Sequence, residues 1–369
     1  MSQDGPVEGS GIEGAKQYPC KSCGARLQYS PGASALECPH CGAQARIPQS
    51  ENDIQELDFH AWVRASVTDT MTQEQKALRC EACGAETVLE GHETAKRCMF
   101  CDSPLVAEPL VQRHLRPSSV LPFKVPKDQA SAMFQKWVSS RWFAPSDLQG
   151  TARATDIDGV YVPYWTYDSN TTSFYRGERG VDYTVSETYT TTENGQTVTK
   201  TRQVTKTRWY PVSGTVWETF DDVLVCASTA LPEGMVRSLE PWDLKALVPY
   251  QDDYLAGYKA ESYRVDLADG FEKAKVVMDD AIRRSIERDI GGDHQRIHLV
   301  RTRYDDITFK HVLLPLWISA YRYQNKVWRF LVNARTGEVQ GERPYSALKI
   351  ALFVFTLAAI IALIIYFSQ

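Results

Sequence analysis

The stretch Cys20-Lys-Ser-Cys23-Gly24-Ala25, closed fourteen residues later by Cys38-Pro-His40-Cys41, recurs sixty positions on as Cys80-Glu-Ala-Cys83-Gly84-Ala85 and Cys98-Met-Phe-Cys101. A two-residue gap lets two thiolates converge on one ion from a tight turn. Glycine after the second cysteine permits close backbone approach. Fourteen intervening residues suffice for a small hairpin that sets the second pair against the first. Segments 18–48 and 78–104 therefore read as two zinc ribbons, with Cys20, Cys23, Cys38, Cys41, Cys80, Cys83, Cys98 and Cys101 as ligands of two structural Zn2+ ions. Neither has enough apolar residues to fold alone, and metal binding worth roughly 10–16 kcal/mol supplies the difference. Thioredoxin-like redox pairs occur singly at a strand-to-helix junction rather than in matched quartets. His40 lies inside a knuckle whose tetrahedron is already complete, so it reads as a loop residue. Cys226, in the apolar Val223-Leu-Val-Cys-Ala, reads as an inert buried thiol.

Outward from the ribbons, residues 1–17 are rich in Gly, Ser and acids and read as a disordered tail. The joining segment 49–77 offers Ile54, Leu57, Ala61 and Trp62 as one face of a short helix. Prolines recur through 105–126, which reads as a linker. Residues 127–346 then form an antiparallel-sheet-plus-helix domain, so the fold class is α+β. A helix is expected near 129–142, with Ala130, Met133, Phe134, Trp137 and Val138 inward, Asp128 capping it and Pro145 stopping it. A second is expected over 271–290, carried by Ala274, Val277, Met278, Ala281, Ile282 and Ile286 and ended by Gly291-Gly292. Alternating Thr, Val and Tyr on either side of Asn194-Gly195 predict a long β-hairpin over 181–210, much of it solvated. It is a docking edge or a hairpin with no partner.

Val160-Tyr-Val-Pro163-Tyr-Trp165 resembles Val312-Leu-Leu-Pro315-Leu-Trp317, and each follows one of the helices. The domain is then a duplication of one helix-plus-sheet unit, or the motifs mark two unrelated edge strands.

Residues 347–369 read as a membrane anchor. Positions 350–367 hold eighteen residues without a charge, about 27 Å of helix, close to the thickness of a bilayer core. Arg343 and Lys349 precede the run and only Ser368-Gln369 follow, which puts the N-terminal bulk in the cytosol of a single-pass, tail-anchored protein. Tyr345 and Tyr366 suit the two interfaces. The opening Met-Ser-Gln-Asp-Gly-Pro has no secretory-signal pattern.

The 369 residues carry a net charge of −5, which becomes about −9 with two zinc-bound tetrathiolates. That balance disfavours nucleic acid as a general partner. There is no Gly-Lys for a phosphate loop, no His-Glu-x-x-His and no Gly-x-Ser-x-Gly. Gly9-x-Gly11-x-x-Gly14 has no preceding strand. His294 and His298 are four apart in a strand-like segment, where they diverge. The acid pairs Asp221-Asp222, Asp252-Asp253, Asp279-Asp280 and Asp305-Asp306 fit turns, caps and helix surfaces.

The paired quartets, Arg208-Trp-Tyr-Pro-Val-Ser-Gly214, Gly291-Gly-Asp-His-Gln-Arg-Ile297, Leu314-Pro-Leu-Trp317, Val332-Asn-Ala-Arg-Thr-Gly337 and the terminal helix resemble a bacterial family of zinc-ribbon membrane proteins with a TFIIB-type N-terminal ribbon. Names given to such proteins invoke primosomal protein N′ and a superfamily II helicase. Some relatives are linked to membrane-stress systems with phage-shock A-type and flotillin-like proteins. The resemblance implies an adaptor role at the membrane, and the leading reading is a non-enzymatic adaptor of the cytoplasmic membrane whose ribbons and hairpin dock cytosolic proteins. It matches the eight cysteines to metal ligands and supplies no catalytic residue. The other readings are nucleic-acid binding through the ribbons, with Lys21, Arg26, Arg79, Lys96 and Arg97 as scattered cations, and a membrane-associated enzyme using a cleft between helix-sheet units.

Overall fold

The computed structural model describes residues 18–33, 35–48, 53–64, 72–88, 97–103, 105, 110–146, 148, 157–193, 196–323 and 326–367. The expected tail, the Asn194-Gly195 turn and Lys96 lie outside them.

The first ribbon is a three-stranded antiparallel sheet of β1 (Gln28–Tyr29), β2 (Ala35–Glu37) and β3 (Gln44–Arg46). β4 (Leu57–Asp58) and α1 (Phe59–Arg64) follow. This helix is shorter than expected. Its inward residues are Phe59 and, partly, Trp62, while Ala61 faces solvent. The second ribbon is the sheet β6-β5-β7, from β5 (Thr72–Arg79), β6 (Glu86–Val88) and β7 (Leu110–Leu115). Residues 110–125 are thus not a linker. β7 completes the second ribbon's sheet, β8 (Ser119–Val120) joins the main sheet, and Leu121 and Phe123 are wholly buried. The prolines punctuate short strands there instead of marking open chain.

Next come α2 (Lys127–Ser139), β9 (Asp158–Glu193), β10 (Gln196–Cys226), α3 (Glu233–Arg237), β11 (Val248–Pro249), β12 (Lys259–Ala260), α4 (Leu267–Ile290), β13 (His294–Tyr323), β14 (Lys326–Asn333), β15 (Val339–Gly341) and α5 (Ala347–Phe367). α2 buries Ala130, Phe134 and Val138. It starts after Pro126, whose fixed φ suits a helix start, so Asp128 sits in the first turn and not at the cap; the helix ends well before Pro145. α4 starts a turn early and buries Ala274, Met278, Ile282, Ile286 and Ile290, but Val277 is 41% exposed. Gly291 and Gly292 end it at φ 64° and 77°.

The main sheet runs β10-β9-β13-β14-β15. β9 and β10 pair from Glu193↔Gln196 down to Tyr164↔Cys226, so the hairpin is far longer than 181–210. β13 lies on the other edge of β9 from Gly180↔His294 to Asp158↔Ile318. Beyond Gly180, β9 has β10 as its neighbour and no strand on its far side among the described residues, where only Asp293 and His294 reach back to Asp182. Thirteen residues there rise about 43 Å at 3.3 Å each. Alternation puts Lys200, Arg202, Lys206, Arg208, Tyr183 and Tyr189 on one face of this free ribbon. Arg208 lies 4.9 Å over Tyr183 and Arg202 5.5 Å over Tyr189. The other face carries Thr184, Thr188, Thr190, Thr199, Thr201, Thr205 and Thr207. β15 turns back at Phe330–Val332, beside the Asp158 end of β9, so α5 leaves the sheet at the end opposite the ribbon tip.

The two Pro-x-Trp motifs lie side by side on β9 and β13, Pro163 opposite Leu313 and Pro315 opposite Tyr161. Their bonds correspond. Trp165 Nε1–H donates to Val265 O at 2.8 Å and Trp317 Nε1–H to Val125 O at 2.8 Å; each acceptor sits two residues before a helix. Ala227 N–H donates to Pro163 O at 2.9 Å and Ala334 N–H to Pro315 O at 3.1 Å. β12 runs parallel to β9 at Val160–Tyr161, and β8 parallel to β13 at Val312–Leu313.

Candidate metal centres

The four cysteine knuckles share one backbone geometry. In each, the residue after the second cysteine donates its N–H to the carbonyl of the first: Gly24 to Cys20, Gly42 to Cys38, Gly84 to Cys80 and Asp102 to Cys98, at 2.8–2.9 Å. Each first cysteine donates in turn to the carbonyl five residues on, at Ala25, Ala43, Ala85 and Ser103. The turn requires positive φ, which is 76°, 71° and 76° at the three glycines and 57° at Asp102.

These turns bring eight sulfurs together as two quartets, each with all its Sγ atoms within 4.8 Å of one another. Cys20–Cys41 and Cys23–Cys38 are 3.5 Å apart; Cys80–Cys101 and Cys83–Cys98 are 3.6 Å apart. Four thiolates about 2.3 Å from one tetrahedral ion would stand about 3.8 Å apart. The donor set therefore fits a thiophilic divalent ion with no ligand position left open. Knuckle amides favour the anion. The N–H groups of Ser22 and Cys23 hold Cys20 down to about 6, and those of Cys41 and His40 hold Cys38 below its ordinary value. At Cys80 burial outweighs the matching amides of Cys83 and Ala82 and pushes the thiol up. His40 is exposed.

The ribbons are docked, not tethered. In the first, Leu27, Tyr29, Leu36 and Ile47 pack against the domain core, Tyr29 N–H donates to Ala256 O at 2.8 Å, and Gly32 N–H to Phe123 O at 3.0 Å. In the second, Phe100 is fully buried, Ser262 N–H donates to Glu86 O at 3.0 Å, and Arg264 pairs with the buried Glu86 carboxylate.

Three other groupings surround this frame. Asp221-Asp222 and Asp305-Asp306 sit in bulges of β10 and β13 rather than in turns, with Asp222 and Asp306 at φ 54° and 52°. Asp168, Asp221 and Asp222 converge there. Lys310, 8% exposed, reaches Asp222 at 2.7 Å and Glu56 at 3.0 Å. Burial raises Asp168; at Glu56 burial works upward too, but Lys310 holds the carboxyl below its usual range. Lys310 already supplies the positive charge, so the cluster is an ion-pair network. Spacing in the sequence held no sign of it, because Glu56 and Lys310 meet across 254 positions. His294 and His298 do not converge: they face Asp182 at 3.1 Å and Glu178 at 3.4 Å. Cys226 is partly buried, which pushes its thiol up to about 12. A cleft of about 410 Å³ between the first ribbon and the sheet is lined by Tyr29, Glu37, Lys127, Asp158, Tyr258 and Trp317.

Over 352 residues the chain is 27% identical to an uncharacterized protein of Bacillus subtilis (strain 168), YdjG, covering 90% of this chain and 92% of that one. No protein-family model matches the chain. No solved structure matches it.

Proposed function

We propose that this protein is a non-enzymatic, tail-anchored adaptor of the cytoplasmic membrane, in which two structural Zn2+ ions hold the N-terminal ribbons against an α+β body and the free β-ribbon receives cytosolic proteins. The observation that carries this reading is the placement of α5. It is 21 residues long with a mean hydropathy of 2.9, none of its span is buried, and it leaves the sheet at the end away from the ribbon. A membrane at that end leaves the ribbon standing in the cytosol. Phage-shock A-type or flotillin-like proteins are the partners the family resemblance implies. The matched hydrogen bonds around Trp165 and Trp317 support reading the body as two copies of one strand-helix-strand unit.

The metal part is tested by elemental analysis, which should find two zinc ions per chain and one in Cys38→Ser. The docking part is tested by crosslinking in cells from Lys200 and Lys206. A phage-shock A-type or flotillin-like protein should be recovered, and deleting residues 183–206 should abolish its capture; unchanged capture would reject the ribbon as the docking element.

A second reading has one observation in its favour: cations and tyrosines share one ribbon face, where Glu187 takes up Lys206 and Arg202 at 2.7 Å and 3.5 Å and leaves Arg208 over Tyr183, a pairing that suits phosphate contact and base stacking. Salt-sensitive binding of a single-stranded oligonucleotide, lost in Arg202→Gln/Arg208→Gln, would support it. ATP turnover stimulated by DNA is not expected, for want of a phosphate loop.

A further inference from the structure

We infer that the loop after α2 is a second membrane contact: Trp142 and Phe143 enter the lipid interface beside α5, and Arg141, Arg343 and Lys349 bind the phosphates of anionic lipid headgroups. The inference rests on α5 being a membrane span and adds to it a fixed seat for the globular body.

The loop is bound to the helix, not merely near it. Ser346 N–H donates to Phe143 O at 2.8 Å and Lys349 Nζ–H to Ala144 O at 2.7 Å. The Trp142 and Phe143 rings meet the Phe353 ring edge-on at 5.7 Å and 5.5 Å. Phe353 is six residues into α5, about 9 Å along its axis, and already inside the charge-free run that starts at Ile350. Whatever touches Phe353 is therefore level with the edge of the hydrocarbon. Trp142 is 66% exposed there, at the level where tryptophan rings sit in a membrane interface.

The charges agree. Arg141 lies 4.7 Å over Trp137, and its buried Nε has no hydrogen-bond partner. Trp137 packs on Gly341, two residues before Arg343, which lies 5.3 Å over Tyr345. Among the described residues no carboxylate pairs with Arg141, Arg343 or Lys349, although the chain as a whole is acidic. Glu342 is turned to the Arg329 amide at 3.2 Å. Three cations that have no acid partner among the described residues, at the foot of a membrane helix that an exposed indole adjoins, match a layer of lipid phosphate.

The test uses full-length protein in vesicles of phosphatidylcholine brominated near the headgroup end of its chains, with and without phosphatidylglycerol. Tryptophan fluorescence should be quenched, and Trp142→Phe should lose the quenchable part, because the other eight tryptophans belong to the body. Phosphatidylglycerol should deepen the quenching in the natural protein and leave Arg141→Gln/Arg343→Gln unchanged. Equal quenching of the natural and Trp142→Phe proteins, with residues 350–367 still protected from protease, would overturn the seat while leaving the span intact. Quenching indifferent to phosphatidylglycerol would overturn the phosphate assignment. Extraction of the whole chain by alkaline carbonate would overturn the span and this inference together.

Discussion

Asp102 stands where the other three knuckles have glycine. An L-residue at φ 57° is disfavoured, yet aspartate tolerates the left-handed region better than most, and Arg97 holds it with a 2.9 Å ion pair and a 2.6 Å bond to its carbonyl. At Gly84 an added Cβ would meet nothing within 4 Å, so only backbone strain opposes it. Gly84→Ala should cost about 1 kcal/mol and Asp102→Gly close to nothing. Metal release to a chelator should quicken in the first and not the second. The cysteines were readable because a metal site built from tight turns writes its geometry into spacing. His311 was not, because its environment is assembled from Leu115, Trp165 and Tyr263, far away along the chain. Its Nδ1–H donates to Leu115 O at 2.9 Å, and burial lowers it to about 4. The unfolded chain, near 6.5, binds more protons than the folded one between those values, so stability is lost as pH falls from about 6.5 toward 4, on the order of 3 kcal/mol in all. Melting curves in detergent at pH 7 and pH 5 should separate more for the natural protein than for His311→Phe. Equal separation would show that the pH sensitivity lies in other groups, such as the cysteines.

Among the elements, the helices were legible and the strand lengths were not. α4 shows its 3.6-residue period because one side faces the sheet and the other faces water. The same period could not say where the stripe ends, so Val277 was grouped with the core although it is 41% exposed, while Ile282 is fully buried. Ile282→Ala should destabilise by about 2–5 kcal/mol, and Val277→Ala by less than about 0.5 kcal/mol. Comparable losses in chemical denaturation would mean that α4 is rotated from this packing. The hairpin shows the opposite failure. Its solvated tip alternates cleanly, whereas residues 160–167 of β9 are covered on both faces and read as an unbroken apolar run. Residues 110–125 hold strands rather than a linker because proline marks strand edges as well as open chain, and what decides for β8 is pairing with Val312–Leu313 almost two hundred positions away.

At the scale of the whole molecule the chain divides into a body built for water and one helix that is not. The eighteen residues from Ile350 to Phe367 include twelve Ile, Leu, Phe and Val. At roughly 0.3–0.6 kcal/mol each on an insertion scale, these favour the bilayer by several kcal/mol. That period-free run was plain in the sequence. Its seat was not, since the contacts of Phe353 with Trp142 and Phe143 join segments two hundred residues apart. The proposed span and the proposed seat differ in kind, and salt separates them. Charged contacts with headgroups weaken as the screening length shrinks from about 10 Å at 0.1 M to about 3 Å at 1 M salt, whereas burial of α5 does not. A chain ending at Ser346 should therefore sediment in part with anionic vesicles at low salt and leave them fully at about 1 M salt. The full chain should stay through both washes. If the shortened chain remains after the high-salt wash but its Trp142→Ala/Phe143→Ala variant does not, the seat holds by apolar insertion; if that variant remains too, an apolar anchor other than α5 and the seat exists, and the single-pass topology is wrong.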